Sequence, residues 1–404
     1  MKAEIRKSKA SGTVKAPTSK SMAHRLLICA ALADGISTVR DVTFCEDILA
    51  TMDCLETMGA KFEINGNDIT VKGLASPVME SEKSFYCRES GSTLRFIIPL
   101  LLLSDKKQTL SGAERLMERP LSVYEDICKE KGLLFDKDKN LTVCGKLSGG
   151  DYFVNGSVSS QFITGLLFAL SMCKEDSRLH IIEPFESASY VNMTLSAMDM
   201  FSVKTEIEDD LTVFIPGGQK YKPQDIDTEG DYSGSAFLDA FNLIGGDVKT
   251  TGLNENSLQG DMIYKKYYKL LSYGSPRLDV TDCPDLAPIL MTLAACKNGA
   301  KLIGTRRLKI KESDRGSVMA QELSKFGADI ELGENEITVH KAELHSPTEV
   351  LCGHNDHRVV MSLAVIASIY AGVIDEAQAV TKSFPDFFEK IKRLGVEVNL
   401  YDDN

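Results

Sequence analysis

The sequence predicts an α/β protein of two domains, and three observations carry that prediction. Strand-like and helix-like segments alternate along the chain. One composite pattern recurs six times: a polar start, an apolar helix of about three to four turns, a strand, a turn, a second amphipathic helix ending near Gly, and closing strands. At 404 residues the chain exceeds what one ordinary core organises.

The first unit opens at Ser19 with the apolar run Leu26 to Leu32. It continues through Ser37-Thr38-Val39 and a helix from Glu46-Asp47 to Met58-Gly59, and the alternating Lys61-Phe62-Glu63-Ile64 closes it. The second opens at Ser90, with Phe96 to Leu103, Gln108-Thr109-Leu110 and a helix ending at Lys131-Gly132. The third opens at Ser159, with Phe162 to Met172, Leu179 to Ile182 and a helix from Tyr190 to Phe201. The fourth opens near Asp231 to Ser235. The fifth opens near Asp282 to Asp285 and ends its second helix at Phe326-Gly327; the sixth opens at Asn355-Asp356 and ends its second helix at Leu394-Gly395. First helices that are apolar nearly all round, such as Leu286 to Ala295, predict burial within a domain, and the amphipathic second helices predict an outer layer. Three units per domain is the natural division, with the polar segment Gln219 to Asp227, containing Pro223, as the linker candidate. A closed barrel alternating single strands and single helices fits less well, because each unit pairs two helices with several strands.

Hydrophobic residues make up 43% of the chain and charged residues 26%, as in an ordinary soluble protein. The net charge of -12 argues against a nucleic-acid partner and makes local clusters of Lys and Arg more informative. The ten cysteines form no C-x-x-C pair and no Cys/His cluster with zinc spacing. Cys29, Cys173 and Cys296 sit in apolar runs as small core residues, which suits a reducing, cytoplasmic setting. Met1 to Ala10 has no signal-peptide core, and runs such as Phe96 to Leu103 are too short to span a bilayer.

A buried helix leaves N–H groups unpaired in its first turn. Ser19, Ser90, Ser159, Ser233 and Asn355 read as caps for them. Three starts also carry a cation close inside, at Arg25, Arg95 and Arg358, a combination suited to phosphate or carboxylate ligands. The run Lys309 to Arg315 places three cations and two carboxylates within seven residues. Glu312, flanked by Lys311 and Arg315, reads there as part of a functional ion cluster. Asp314 reads as a cap or an orienter of Arg315, and His357 takes a supporting role.

These motifs, taken in order, resemble the 5-enolpyruvylshikimate-3-phosphate synthase family. The likeness runs from Pro17-Thr18-Ser19-Lys20-Ser21 with Arg25 to Thr381-Lys382-Ser383-Phe384-Pro385-Asp386. Its most specific segments are Gly156 to Phe162, Lys311-Glu312-Ser313-Asp314-Arg315 and Asn355-Asp356-His357-Arg358. The resemblance implies an inside-out α/β barrel of two domains, each of three βαβαββ units, with the active site in the cleft between them. It also places the extreme N-terminus with the C-terminal lobe, giving residues 18–227 to one lobe and 1–17 plus 228–404 to the other.

The resemblance implies enolpyruvyl transfer from phosphoenolpyruvate to shikimate 3-phosphate, by a cytoplasmic monomer that uses no metal or organic cofactor. Carried over by motif, Lys20, Gly91, Arg119, Gln161, Arg315, Arg358 and Lys382 would contact phosphoenolpyruvate. Ser92 would line the same pocket, where a side chain at Gly91 would crowd the ligand. Lys20, Ser21, Arg25, Ser159, Ser160, Gln161, Ser187, Tyr190, Asp285 and Lys311 would hold shikimate 3-phosphate. Asp285 and Glu312 are the acid/base candidates, with Lys20 as a further proton-transfer candidate. The chain departs from the family at Thr18, where Gly is frequent, at Glu89 to Thr93, where many members read Asn-Ala-Gly-Thr-Ala, and at Arg307, which is Asn in some members.

Two other functions compete. A sister transferase acting on UDP-N-acetylglucosamine carries a reactive cysteine in a mobile loop; the corresponding Gly112 to Pro120 has none. A non-enzymatic phosphometabolite binder would not need both Asp285 and Glu312.

Overall fold

The computed structural model of the chain describes residues 1–74 and 76–402. Strands and helices alternate as the sequence predicts, and the chain divides into two compact units. One is Thr18–Thr228; the other joins Met1–Pro17 to Glu229–Asn404, so the chain passes from one to the other after Pro17 and again after Thr228.

Among the described residues the strands form five four-stranded sheets and one of two strands. The larger sheets share one plan, in which a first strand pairs parallel with a second and the remaining two pair antiparallel. Lys83–Tyr86 beside Gln108–Ser111, then Leu141–Cys144 and Leu134–Lys137, is one instance. Gly150–Asn155 beside Ser177–Ile182, then Thr212–Ile215 and Glu206–Asp209, is another. Each sheet has one packed face; in Gly150–Asn155, Tyr152 and Val154 point inward and their neighbours outward.

Three sheets recruit strands from distant sequence. Lys2–Ile5 lies between Gly372–Asp375 and Val398–Tyr401, and Ser11–Lys15 pairs parallel with Asp247–Thr251. Asp225–Asp227 pairs parallel with Ile36–Arg40. The segment Gln219 to Asp227, expected as a linker, is therefore partly a strand. Its polar side chains stay solvated while its backbone is satisfied by the sheet, with Thr38 N donating to Gln224 O at 3.0 Å.

Apolar helices fill both cores. In the unit 18–228 these are Lys20–Leu32, Gly91–Leu101 and Ser160–Leu170; in the other, Tyr232–Leu243, Ala287–Cys296 and His357–Tyr370. Ser19, Ser90 and Ser159 cap their helices as expected, accepting from Met22 N, Thr93 N and Gln161 N. At the other two starts the cap is an aspartate and not the expected Ser233 or Asn355. Asp231 accepts from Ser233 N at 3.0 Å and Asp356 from Arg358 N at 2.9 Å. A carboxylate is the better acceptor for these donors, because its negative charge also meets the positive helix end.

Pro99 inside Gly91–Leu101 has no N–H, so the Arg95 carbonyl loses its helical donor. The buried Tyr124 hydroxyl replaces it, lying 2.7 Å from Arg95 O and 3.1 Å from Phe162 O. Gly165 makes room for this junction: a Cβ there would come 2.5 Å from Arg95 O. Among the described residues no helix is long and apolar enough to cross a membrane. Tyr124→Phe strands a buried carbonyl and is expected to cost about 1–3 kcal/mol in denaturant unfolding; a loss below roughly 0.5 kcal/mol contradicts the junction.

Candidate active site

In the unit 18–228 the expected residues gather at the starts of the buried helices. Lys20 begins Lys20–Leu32 and its Nζ lies 2.7 Å from Oδ2 of Asp47, in the first turn of Glu46–Met58. Arg25, 3% exposed, joins its own helix to Ala188–Met200. Its Nη1 donates to Ser21 O at 2.6 Å, its Nε to Thr194 Oγ1 at 2.8 Å and its Nη2 to Tyr190 O at 2.9 Å. Burial lowers its pKa to about 10, which leaves it charged at neutral pH.

Gln161, two residues inside its cap Ser159, accepts from Arg95 Nη1 at 2.8 Å and donates to Ser92 Oγ at 2.9 Å. Arg95 Nη2 also reaches Pro120 O at 3.2 Å, tying in the segment that carries Arg119. A Cβ on Gly91 would lie 2.5 Å from Arg119 Nη1, so Gly91 makes room for that guanidinium. Among the described residues the Arg119 guanidinium, in a residue 9% exposed, has no hydrogen-bond or ion-pair partner. Ser160 is buried, and Ser187, with φ 60°, precedes the Ala188–Met200 helix that carries Tyr190.

In the second unit one guanidinium organises the site. Arg315, 1% exposed, donates from Nη1 to Asp285 Oδ1 at 2.7 Å, from Nη2 to Glu312 Oε2 at 2.8 Å and from Nε to Asp356 Oδ2 at 2.9 Å. Asp285 also meets Lys311 Nζ at 3.3 Å and Arg358 Nη2 at 3.4 Å. Arg358, 3% exposed, keeps Nε and Nη1 without a hydrogen-bond partner among the described residues, while its guanidinium lies 5.5 Å from the Phe237 ring centroid. Lys382 donates to Asn355 O at 2.6 Å. Asp314 caps the helix that Arg315 begins, accepting from Ser317 N.

The EPSP synthase (3-phosphoshikimate 1-carboxyvinyltransferase) family model matches residues 5–391. The chain belongs to that family. It is 38% identical to a 3-phosphoshikimate 1-carboxyvinyltransferase of Clostridium kluyveri, covering 98% of this chain and 97% of that one. The Clostridium novyi protein of the same name is 37% identical over 96% of each chain. An EPSP synthase structure from Acinetobacter baumannii superposes with a TM-score of 0.79, at 22% identity, over 99% of this chain and 100% of that one. The enolpyruvyl transferase NikO from Streptomyces tendae superposes with a TM-score of 0.76 at 13% identity, over 98% of each. These two likenesses concern the fold.

Residues to which the sequence assigned no role of their own complete the site. Asp47 pairs with Lys20 from 27 positions away, a distance no local pattern reveals. Asp356 was legible only as part of a motif, yet it both caps a helix and binds Arg315. Asp261, 4% exposed, follows a short polar stretch that gave no signal. Among the described residues no group of three or more His, Cys, Asp or Glu is arranged to hold a metal.

The electrostatics follow from burial and pairing. Burial lowers the pKa of Lys311, with Asp285 acting in the opposite sense. Burial also works against the charge of Arg315, but Asp356, Glu312 and Asp285 outweigh it and hold the guanidinium protonated. For Asp261 burial comes first and nearby Asp285 second, and together they push its carboxyl up to about 7. An acid raised in the folded state keeps a proton that the unfolded chain has lost, so this group's contribution to stability falls as pH rises from about 4 to about 7. Asp261→Asn is expected to flatten the pH dependence of the unfolding midpoint across that window and to raise the midpoint at pH 8. An unchanged slope contradicts the assignment.

Proposed function

We propose that this chain transfers the enolpyruvyl group of phosphoenolpyruvate to the 5-hydroxyl of shikimate 3-phosphate and releases phosphate, in the route to chorismate and the aromatic amino acids. The observation that carries the reading is the single buried guanidinium of Arg315 holding Asp285 and Glu312, with Lys311 and Arg358 on the same Asp285. The reaction needs a base and an acid, and the two carboxyl groups can supply them. One accepts the 5-hydroxyl proton as that oxygen attacks C2 of phosphoenolpyruvate; the other gives a proton to the methylene carbon. The tetrahedral adduct then loses a methyl proton, its C–O bond to phosphate breaks, and the enol ether forms. Asp285, facing Lys311, Arg315 and Arg358, suits the first task, and Glu312, bound by Arg315, the second. Lys20 is the further proton-transfer candidate.

Both substrates carry a carboxylate and a phosphate, which the cation inventory suits. Lys20, Gly91, Arg119, Gln161, Arg315, Arg358 and Lys382 are proposed to form the phosphoenolpyruvate contacts. Arg119 and Arg358 have the best support, since both are buried with guanidinium nitrogens that lack a partner among the described residues. Lys20, Ser21, Arg25, Ser159, Ser160, Gln161, Ser187, Tyr190, Asp285 and Lys311 are proposed to hold shikimate 3-phosphate. Arg25 spends most of its donors on protein carbonyls and a hydroxyl, so its contribution is charge at a helix start. The same reading makes the protein a cytoplasmic monomer that requires no metal or organic cofactor; ten free cysteines suit a reducing compartment.

Phosphate release from phosphoenolpyruvate, measured with and without shikimate 3-phosphate, tests the activity; release must depend on the second substrate. Glu312→Gln is expected to keep binding of both substrates and to lose turnover by about 10²–10⁴-fold. Turnover at the wild-type rate removes Glu312 from the chemistry.

A further inference from the structure

We infer that Glu322, outside the proposed substrate contacts, is a positioning residue for the Asn355–Arg358 segment. The inference rests on the proposed roles of Arg315, Arg358 and Lys382. Glu322 is 0% exposed, an unusual place for a carboxylate, on the same Arg315–Ser324 helix that Arg315 begins. Its Oε2 accepts from Cys352 N at 2.8 Å and from Lys325 Nζ at 2.9 Å. Its Oε1 lies 3.1 Å from His354 Nε2, which donates in the Nε2–H tautomer, and 3.1 Å from Lys325 Nζ. Lys325 in turn donates to Val350 O at 3.0 Å. One buried carboxylate and its lysine therefore grip residues 350, 352 and 354.

The gripped segment leads directly into a costly turn. His354 and Asn355 have φ of 50° and 49°, consecutive left-handed residues without glycine's freedom. Such conformations persist only where the surroundings over-determine them. Glu322 fixes the approach, and Glu376 Oε2 accepts from Asn355 N at 2.7 Å on the far side. The turn delivers two groups to the proposed site: Asn355 O to Lys382 Nζ at 2.6 Å, and Asp356 to Arg315 Nε at 2.9 Å. The Arg315–Ser324 helix thus holds the segment at two points, Arg315 on Asp356 and Glu322 on Cys352 and His354. Removing this carboxylate alone would leave Cys352 N and the Lys325 ammonium without their carboxylate acceptor, so Glu322 holds both, and the segment they belong to, in place.

Steady-state kinetics with each substrate varied tests this. Glu322→Gln is expected to raise KM for phosphoenolpyruvate at least about tenfold while KM for shikimate 3-phosphate stays within about twofold, a split that general destabilisation does not produce. Combined with Lys382→Met, it should cost less in kcat/KM than the product of the two single losses, because both changes disturb the Asn355–Lys382 contact. If Glu322→Gln does not fold, His354→Ala, at a partly exposed residue, is expected to show the same split at about threefold or more. Unchanged or parallel KM values, or independent losses in the double variant, overturn the inference alone. A Lys382→Met enzyme with normal KM for phosphoenolpyruvate overturns the site assignment and this inference with it.

Discussion

Arg315 presents one planar guanidinium to three carboxylates, and the chemistry proposed for its unit depends on that fan. Asp285, Glu312 and Asp356 come from different parts of the chain, and each would repel the other two without it. The five N–H groups of arginine can meet all three at fixed angles, which a lysine ammonium cannot do. Two of the carboxylates are the proposed acid and base, and the third caps a core helix and fixes the start of the segment bearing Arg358. A single buried charge thereby couples the fold to the proposed acid and base.

The unit 18–228 solves a related problem with helix starts. Serine caps satisfy part of each first turn and leave the remaining N–H groups and nearby Lys20, Arg95 and Arg119 facing the same neighbourhood, within which Gln161 links Ser92 to Arg95. Glycine matters at Gly91 because the Arg119 guanidinium occupies the space a methyl group would take. Lys20 meets Asp47, and the cations of the other unit meet Asp285, Glu312 and Asp356, so a substrate bound as proposed would compete with internal carboxylates for several of these contacts. Arg119 and Arg358 keep nitrogens that face no such competition among the described residues.

The alternation of strands and helices was legible because apolar runs, polar starts and terminal glycines repeat locally, and Ser19, Ser90 and Ser159 cap as read. Long-range choices were not. Nothing in Lys2–Ile5 announces pairing with Gly372–Asp375, and Asp225–Asp227 looks like a loop until Ile36–Arg40 is beside it. The site shows the same division. Its cations lie in compact motifs and could be named, whereas Asp47, Asp261, Asp356 and Glu322 acquire their roles only through neighbours far away in sequence. Arg25, proposed to hold shikimate 3-phosphate, also ties two helices together, a role its motif does not announce.

Arg315→Lys keeps the charge and removes the fan, so its kinetics test the central claim most directly. With the fold intact by circular dichroism, kcat/KM for phosphoenolpyruvate is predicted to fall by about 10²-fold or more, because both proposed proton-transfer groups lose their alignment. A lysine enzyme within about threefold of wild type would contradict the account, since charge without geometry would then suffice.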